Sequence, residues 1–350
     1  MNSMLLRLAI AVSLASPLLV SQTSDLAEKW RASGKYFEWK ADGQTRAVQI
    51  FYTCMGDPAK PAILMLHGFP TSSFDYRLLA HELESDFHIC TLDFPGYGIS
   101  DKPAAGYRYS LRDDADLVWH FVTKVVPMSE FVLFSHDRGD SVALAFLEKI
   151  QSQPDAPFRI THQFITNGNV YLPLSNLTDF QKRMLDPATS PAVVKQISAP
   201  ILAAGMGNST FTPPLKPTDP EVAALAYFFA YQAGVEVMPA TIQYLKERKQ
   251  FENRFLEALE KSPIPATLVW GVHDMIAPVR VADYVWNSAL KSRKVRGSYW
   301  LMPCGNHYLQ HDQPEALARI VRMSLSGRSQ AAPYNLSGDA CAPVLAATQN

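Results

Sequence analysis

Three residues spread across a 350-residue chain have the types that could do chemistry together: Asp137, Asp274 and His307. Asp137 stands inside FVLFSHDRGDSVALAF. There Phe131 to Ser135 reads as a short buried strand, His136 to Gly139 reverses direction, and Ser141 to Ile150 carries apolar residues at helical spacing. A strand, a tight turn and a helix place Asp137 at the apex, with the first N–H groups of the helix aimed at it. A carboxylate there is favoured as an anion and can serve as a nucleophile; alone, it can equally be an N-cap. Asp274 in WGVHD and His307 in CGNH each follow a further apolar run, which gives the chain order nucleophile, acid, histidine. A carboxylate can displace a leaving group at sp³ carbon, and its ester stays hydrolysable at its own carbonyl. Histidine can then activate water, provided that an acid such as Asp274 fixes its tautomer.

The elements that must position these groups follow a rhythm. Apolar runs at Ala47–Tyr52, Ala62–Leu66, Phe87–Leu92, Arg159–Thr166, Ala266–Trp270 and Gly297–Met302 read as strands. Helical spacing is found at Phe74–Leu83, Ser110–Val126, Val279–Leu290 and Pro314–Met323. The alternation predicts an α/β fold with a mostly parallel central sheet and helices on both faces. Between 170 and 262 it gives way to Pro-punctuated helices, read as a helical cap inserted between core segments 31–169 and 263–325. Residues 326–350 read as a disordered tail. After Ala62–Leu66, HGFP brings a glycine to the strand end. The N–H of Phe69 can there pair with that of Arg138 as an oxyanion hole, and His67 is expected to order the loop beside the substrate.

Composition narrows the classes. A net charge of -1 with no basic block excludes an electrostatic nucleic-acid surface. Cys54, Cys90, Cys304 and Cys341 form no C-x-x-C; Cys90 reads as a packed core residue, and Cys341 is a candidate to pair with Cys304 or Cys54. His307 and His311 have ligand spacing but lack the metalloprotease glutamate, so neither metal nor cofactor is expected. Leu8 to Val20 is apolar, too short to span a bilayer comfortably, and reads with its flanks as a leader over 1–24. It implies export or membrane attachment.

The set HGFPTSS, LDFPGYGISDKP, SHDRGD, GVHD and GNHYLQHDQPE resembles the epoxide hydrolase and haloalkane dehalogenase branch of the α/β-hydrolases, over about residues 36 to 325. SHDRGD, TNGN and QYLKERKQF are similar to the mesoderm-specific transcript-like hydrolases of that branch. The resemblance implies an Asp137 ester, hydrolysed by water that His307 and Asp274 activate, with the Phe69 and Arg138 amides on the oxyanion. Epoxide hydrolases protonate the oxirane from cap tyrosines, for which Tyr244, Tyr231 and Tyr171 are the candidates. A dehalogenase is the alternative, but its halide-holding tryptophan is replaced by Arg138, and fluoroacetate dehalogenases carry a second arginine where this chain has Ser141. Asp140 departs from the small residue expected there and should raise the pKa of Asp137. The substrate expected is small and apolar; a hydrolase-like binding protein without turnover is the reading from another class.

Overall fold

The computed structural model describes residues 24–153, 155–326 and 339–349. The expected leader therefore lies outside the described residues, apart from Ser24. A nine-stranded sheet organises the rest: β1 (Lys35–Trp39), β2 (Val48–Met55), β3 (Ala62–Leu66), β4 (His88–Leu92), β5 (Glu130–His136), β6 (Arg159–Thr166), β7 (Ala266–Gly271), β8 (Gly297–Met302) and β9 (Val344–Gln349). Their order is β1-β2-β4-β3-β5-β6-β7-β8-β9. The central six, β4 to β8, run parallel, while β1, β2 and β9 add antiparallel edges. The runs AILML and FVLFSH are apolar without alternation because both faces of the sheet are covered.

The helices are α1 (Asp25–Ala32), α2 (Arg77–Leu83), α3 (Leu111–His120), α4 (Arg138–Gln151), α5 (Asp179–Leu185), α6 (Ser190–Gln196), α7 (Ala199–Ser209), α8 (Pro220–Ala230), α9 (Gly234–Thr241), α10 (Tyr244–Lys261), α11 (Val279–Val285), α12 (Leu309–Asp312) and α13 (Pro314–Leu325). On one face α2, α12 and α13 pack onto Ile63, Met65, Phe134 and Val269. The opposite face holds α3, α4 and α11 against Leu64, Leu66, Leu133 and Leu268. Ser110 caps α3 through its hydroxyl, as its position before an apolar-periodic run implies.

The interval between β6 and β7 holds α5 to α10 and no strand. Its last helix returns to the core: Gln151 Nε2 donates to Ala258 O at 2.7 Å, and Glu247 accepts the Leu111 N–H at the start of α3 at 2.8 Å.

Two sequence expectations are corrected. The tail from 326 is not structureless throughout, because Val344–Gln349 pairs with β8 as a sheet edge. Its short alternating pattern, AATQ after a Pro-interrupted stretch, is weak in sequence and needs the exposed edge of β8 to acquire hydrogen-bond partners. Cys90 does not merely pack: it is bonded to Cys54, its register partner across β2 and β4. Cys304 is bonded to Cys341, one of the two pairings considered above, and this bridge ties the tail to the loop that carries His307.

Replacing both Cys304 and Cys341 by serine should lower stability by about 2–5 kcal/mol, read from chemical denaturation, with β9 amides exchanging first.

Candidate active site

Asp137 leaves β5 at φ 53°, ψ -118°, a conformation non-glycine residues rarely adopt. The surroundings hold it there. Its N–H donates to Thr166 O at 3.1 Å, and its carbonyl accepts the Asp140 N–H at 3.1 Å. A Cβ on Gly139 would lie 2.1 Å from Leu66 O, and one on Gly68 would lie 2.5 Å from the Asp137 Cβ. Both glycines are therefore required by close approach of backbone and side chain.

The carboxylate is divided between two environments. Oδ1 accepts the Phe69 N–H at 2.7 Å, and the Arg138 amide also donates to this carboxylate. Oδ2 lies 3.7 Å from His307 Nε2. His307 Nδ1 in turn is 2.8 Å from Asp274 Oδ2. Asp274 is fixed from every side: Oδ1 accepts the Ile276 and Ala277 N–H groups at 2.8 and 3.0 Å, and Oδ2 accepts Asn167 Nδ2 at 2.7 Å. Three groups from three strand ends thus meet in one buried line, as the chain order predicts.

Sequence reasoning passed over two supports. Asn167, itself at φ 46°, also accepts the Gly271 N–H at 3.0 Å and so locks β6 to the Asp274 loop. A side-chain amide, with both a donor and an acceptor, suits it to hold the Asp274 loop. His136 Nε2 donates to the His307 carbonyl at 2.7 Å. Its place in SHD, one residue before the apex, was the available signal.

A cavity of ≈ 380 Å³ opens above Asp137 and His307. Its walls include Phe180, Ile197, Leu202, Met206 and Ile276, with Tyr308 and Phe69 near the floor; no lysine or arginine lines it. Of the tyrosines expected here, only Tyr244 comes close. It is 2% exposed, its ring lies 6.1 Å from that of Phe69, and it feels the Asp137 charge. Tyr171 stacks on Tyr284 at 3.7 Å, away from the cavity. Tyr231 lies on the far side of the insertion, with Lys102 Nζ 4.6 Å from its ring centroid. Helical spacing cannot tell an inward from an outward tyrosine when both faces of a helix are apolar. His67 does not reach the cavity either: Nδ1 donates to Gly68 O at 2.8 Å and Nε2 accepts the Phe94 N–H at 3.1 Å, which ties two loops together.

The profile of the alpha/beta hydrolase family matches residues 63–320, most of the chain. The protein belongs to that family. LipZ of Mycobacterium tuberculosis is 30% identical over 299 residues, covering 85% of this chain and 98% of its own. The mesoderm-specific transcript protein of Mus musculus is 30% identical over 277 residues, covering 76% and 80%. Among solved structures, haloalkane dehalogenase DbeA from Bradyrhizobium elkani superposes with a TM-score of 0.66 at 19% identity, covering 84% of this chain and 98% of that one. At that identity the superposition speaks for the fold alone.

Electrostatics distinguish the acids of this hydrolase. Burial raises the Asp137 carboxyl above its ordinary value, opposed by His307 and the two amides. Burial alone would lower His307, but Asp274 and Asp137 overcome it and lift the imidazole to about 9. Asp140 is fully buried and pushed well above the usual carboxylate range by desolvation. Ser135 Oγ lies 2.5 Å from Asp140 Oδ1 and 3.1 Å from the Phe164 carbonyl. The serine hydroxyl is the donor to both, and its short contact holds the buried Asp140 carboxyl in place. Burial of Asp137 itself is the largest cause of its raised carboxyl. Arg138 turns away from the cavity to pair with Asp114, its guanidinium 5.0 Å from the Tyr97 ring and 5.5 Å from that of Tyr244.

Asp140→Asn keeps the shape and an acceptor for Ser135 without an ionisable carboxyl, and should leave stability and activity near those of the parent. Asp140→Ala should cost about 1–3 kcal/mol in denaturation, because Ser135 loses its partner. A collapse of the Asn variant would show that a charged Asp140 is needed. The His307 proton adds stability that is complete below its unfolded value of 6.5 and lost as pH rises through about 9. The stability difference between wild type and His307→Gln should accordingly shrink from pH 7 to 10, followed by urea titration at each pH (the interval brackets about 9).

Proposed function

We propose that this α/β hydrolase opens neutral, apolar epoxides through a covalent ester on Asp137. The observation that carries the reading is the divided carboxylate: Oδ1 is held by the Phe69 amide while Oδ2 is left free at the floor of an apolar cavity, 3.7 Å from His307. Oδ2 attacks a ring carbon, the C–O bond breaks, and the departing oxygen takes a proton. Tyr244 is the proposed donor: it is buried, its ring lies 6.1 Å from that of Phe69, and it feels the Asp137 charge. Alkylation removes the Asp137 charge, one of the two that hold the His307 proton, so the imidazole becomes a better base. It then takes a proton from water, which attacks the ester carbonyl. The oxyanion develops on Oδ1, which the Phe69 amide holds, with the Arg138 amide also donating to this carboxylate. Its collapse breaks the Cγ–Oδ2 bond, the departing product oxygen takes the proton from His307, and the oxygen from water stays in Asp137.

Support for a neutral substrate comes from the lining, which holds no lysine or arginine. A haloacid would find no cation there, and Arg138 is engaged by Asp114. Among relatives, epoxide hydrolase 3 of Xenopus tropicalis is 23% identical over 296 residues. The two disulfides, together with the apolar leader, favour an oxidising compartment outside the cytosol.

A His307→Gln variant given styrene oxide should accumulate an adduct on the Asp137 peptide, seen by mass spectrometry. Single turnover of wild type in ¹⁸O-water should place the label in Asp137 rather than in the diol. Label found only in the diol would rule out the ester route, and halide release without diol formation would transfer the same machinery to a dehalogenase.

A further inference from the structure

The outward face of the insertion has a composition that water alone does not explain. No charged residue occurs between Lys195 and Lys216, nor between Glu221 and Glu236, so α7 and α8 carry almost no charge on any side. A helix that is apolar all round is ordinarily buried. Here Pro200, Ile201, Gly205 and Ala230 are exposed. Ile201, 60% exposed, and Met275, 72% exposed, are the two most exposed large apolar side chains among the described residues. Ile201 lines the Asp137 cavity, and Met275 adjoins Ile276, which also lines it. On the other flank of α7 runs a groove of ≈ 880 Å³, which shares Ile197 with the cavity. Tyr227 and Tyr231 line that groove, and the charged residues along it are Arg31, Lys195 and Glu236.

We propose that this face is a lipid-docking surface, on which the protein rests against a bilayer so that apolar substrate passes from lipid into the cavity. Three features select lipid over another protein. The apolar face is continuous with the cavity that an apolar substrate must enter. Tyrosines and a cationic majority at its edge match the interfacial zone of a membrane and its phosphates. Third, α1 packs on α8 through Ala27, Trp30, Ala224 and Phe228, and its Arg31 lines the groove. The described chain thus begins with a helix that packs against this part of the insertion. The proposal takes its purpose from the apolar-substrate reading, but its test needs no turnover.

Full-length protein is bound to vesicles of phosphatidylcholine and phosphatidylglycerol, floated, and compared with free protein by deuterium exchange. Slower exchange over 197–215 and 222–236 is expected, with β5 and α4 unchanged. The Lys195→Glu/Ala230→Glu double variant should lose binding by about tenfold, because it replaces attraction to anionic lipid by repulsion. Its turnover of a water-soluble epoxide should match that of the parent. Three results overturn the proposal: vesicle-bound protein with unchanged exchange over these residues, which means attachment through the N-terminal segment alone; slow exchange there before lipid is added, which means the chain's own first residues fill the groove; and a stable dimer that does not float. Loss of all epoxide turnover with the exchange pattern intact would remove the proposed reaction and leave the surface standing.

Discussion

A carboxylate held at a left-handed backbone angle, in space too narrow for any Cβ on two neighbouring residues, is the constraint on which the rest depends. Gly139 lies against the Leu66 carbonyl and Gly68 against Asp137 itself. This crowding forces β3, β5 and the start of α4 into one arrangement. The same arrangement points two amides at a single carboxylate. Strain at the apex is thus inseparable from the geometry of the site. It persists because the central parallel strands, covered by helices on both faces, leave the turn no room to relax.

Burying several acids around one imidazole sets them in different surroundings. Asp274 accepts three protein N–H donors besides the imidazole. Asp140 accepts the Ser135 hydroxyl and is pushed well above the usual carboxylate range by burial. Asp75, behind Tyr308, is raised to about 8 by burial and is held by Thr71 at 2.5 Å. Asp274 and Asp137 are the carboxylates that act most strongly on the His307 proton. An imidazole between two carboxylates keeps its proton until one of them is consumed, and that is the order in which an ester mechanism needs it.

The insertion makes the second decision. By covering the strand ends with helices of which α7 and α8 are nearly free of charge it gives the site apolar walls, while α10 returns to α3 and α4 and places Tyr244 near Phe69. One disulfide joins β2 to β4 and the other ties the C-terminal strand to the loop before His307. The sheet edges are thereby held near the catalytic loops without adding bulk to the core.

Sequence alone determined the mostly parallel sheet, and it singled out a helical stretch after β6 and Asp137, Asp274 and His307 as candidates. Each of these is written locally: apolar runs of strand length, a strand-turn-helix junction, and polar residues just past strand ends. Other features depend on which distant groups come into contact. The surroundings of Asp140 depend on Ser135, the support of Asp274 on an asparagine more than a hundred residues away, and the separation of Tyr244 from Tyr171 and Tyr231 on which way each helix turns. Edge strand β9 and the Cys54–Cys90 bond likewise exist only once a partner strand is alongside. Tertiary structure decided these because hydrogen bonds, burial and covalent pairing are properties of neighbours in space, and a linear pattern specifies only neighbours along the chain.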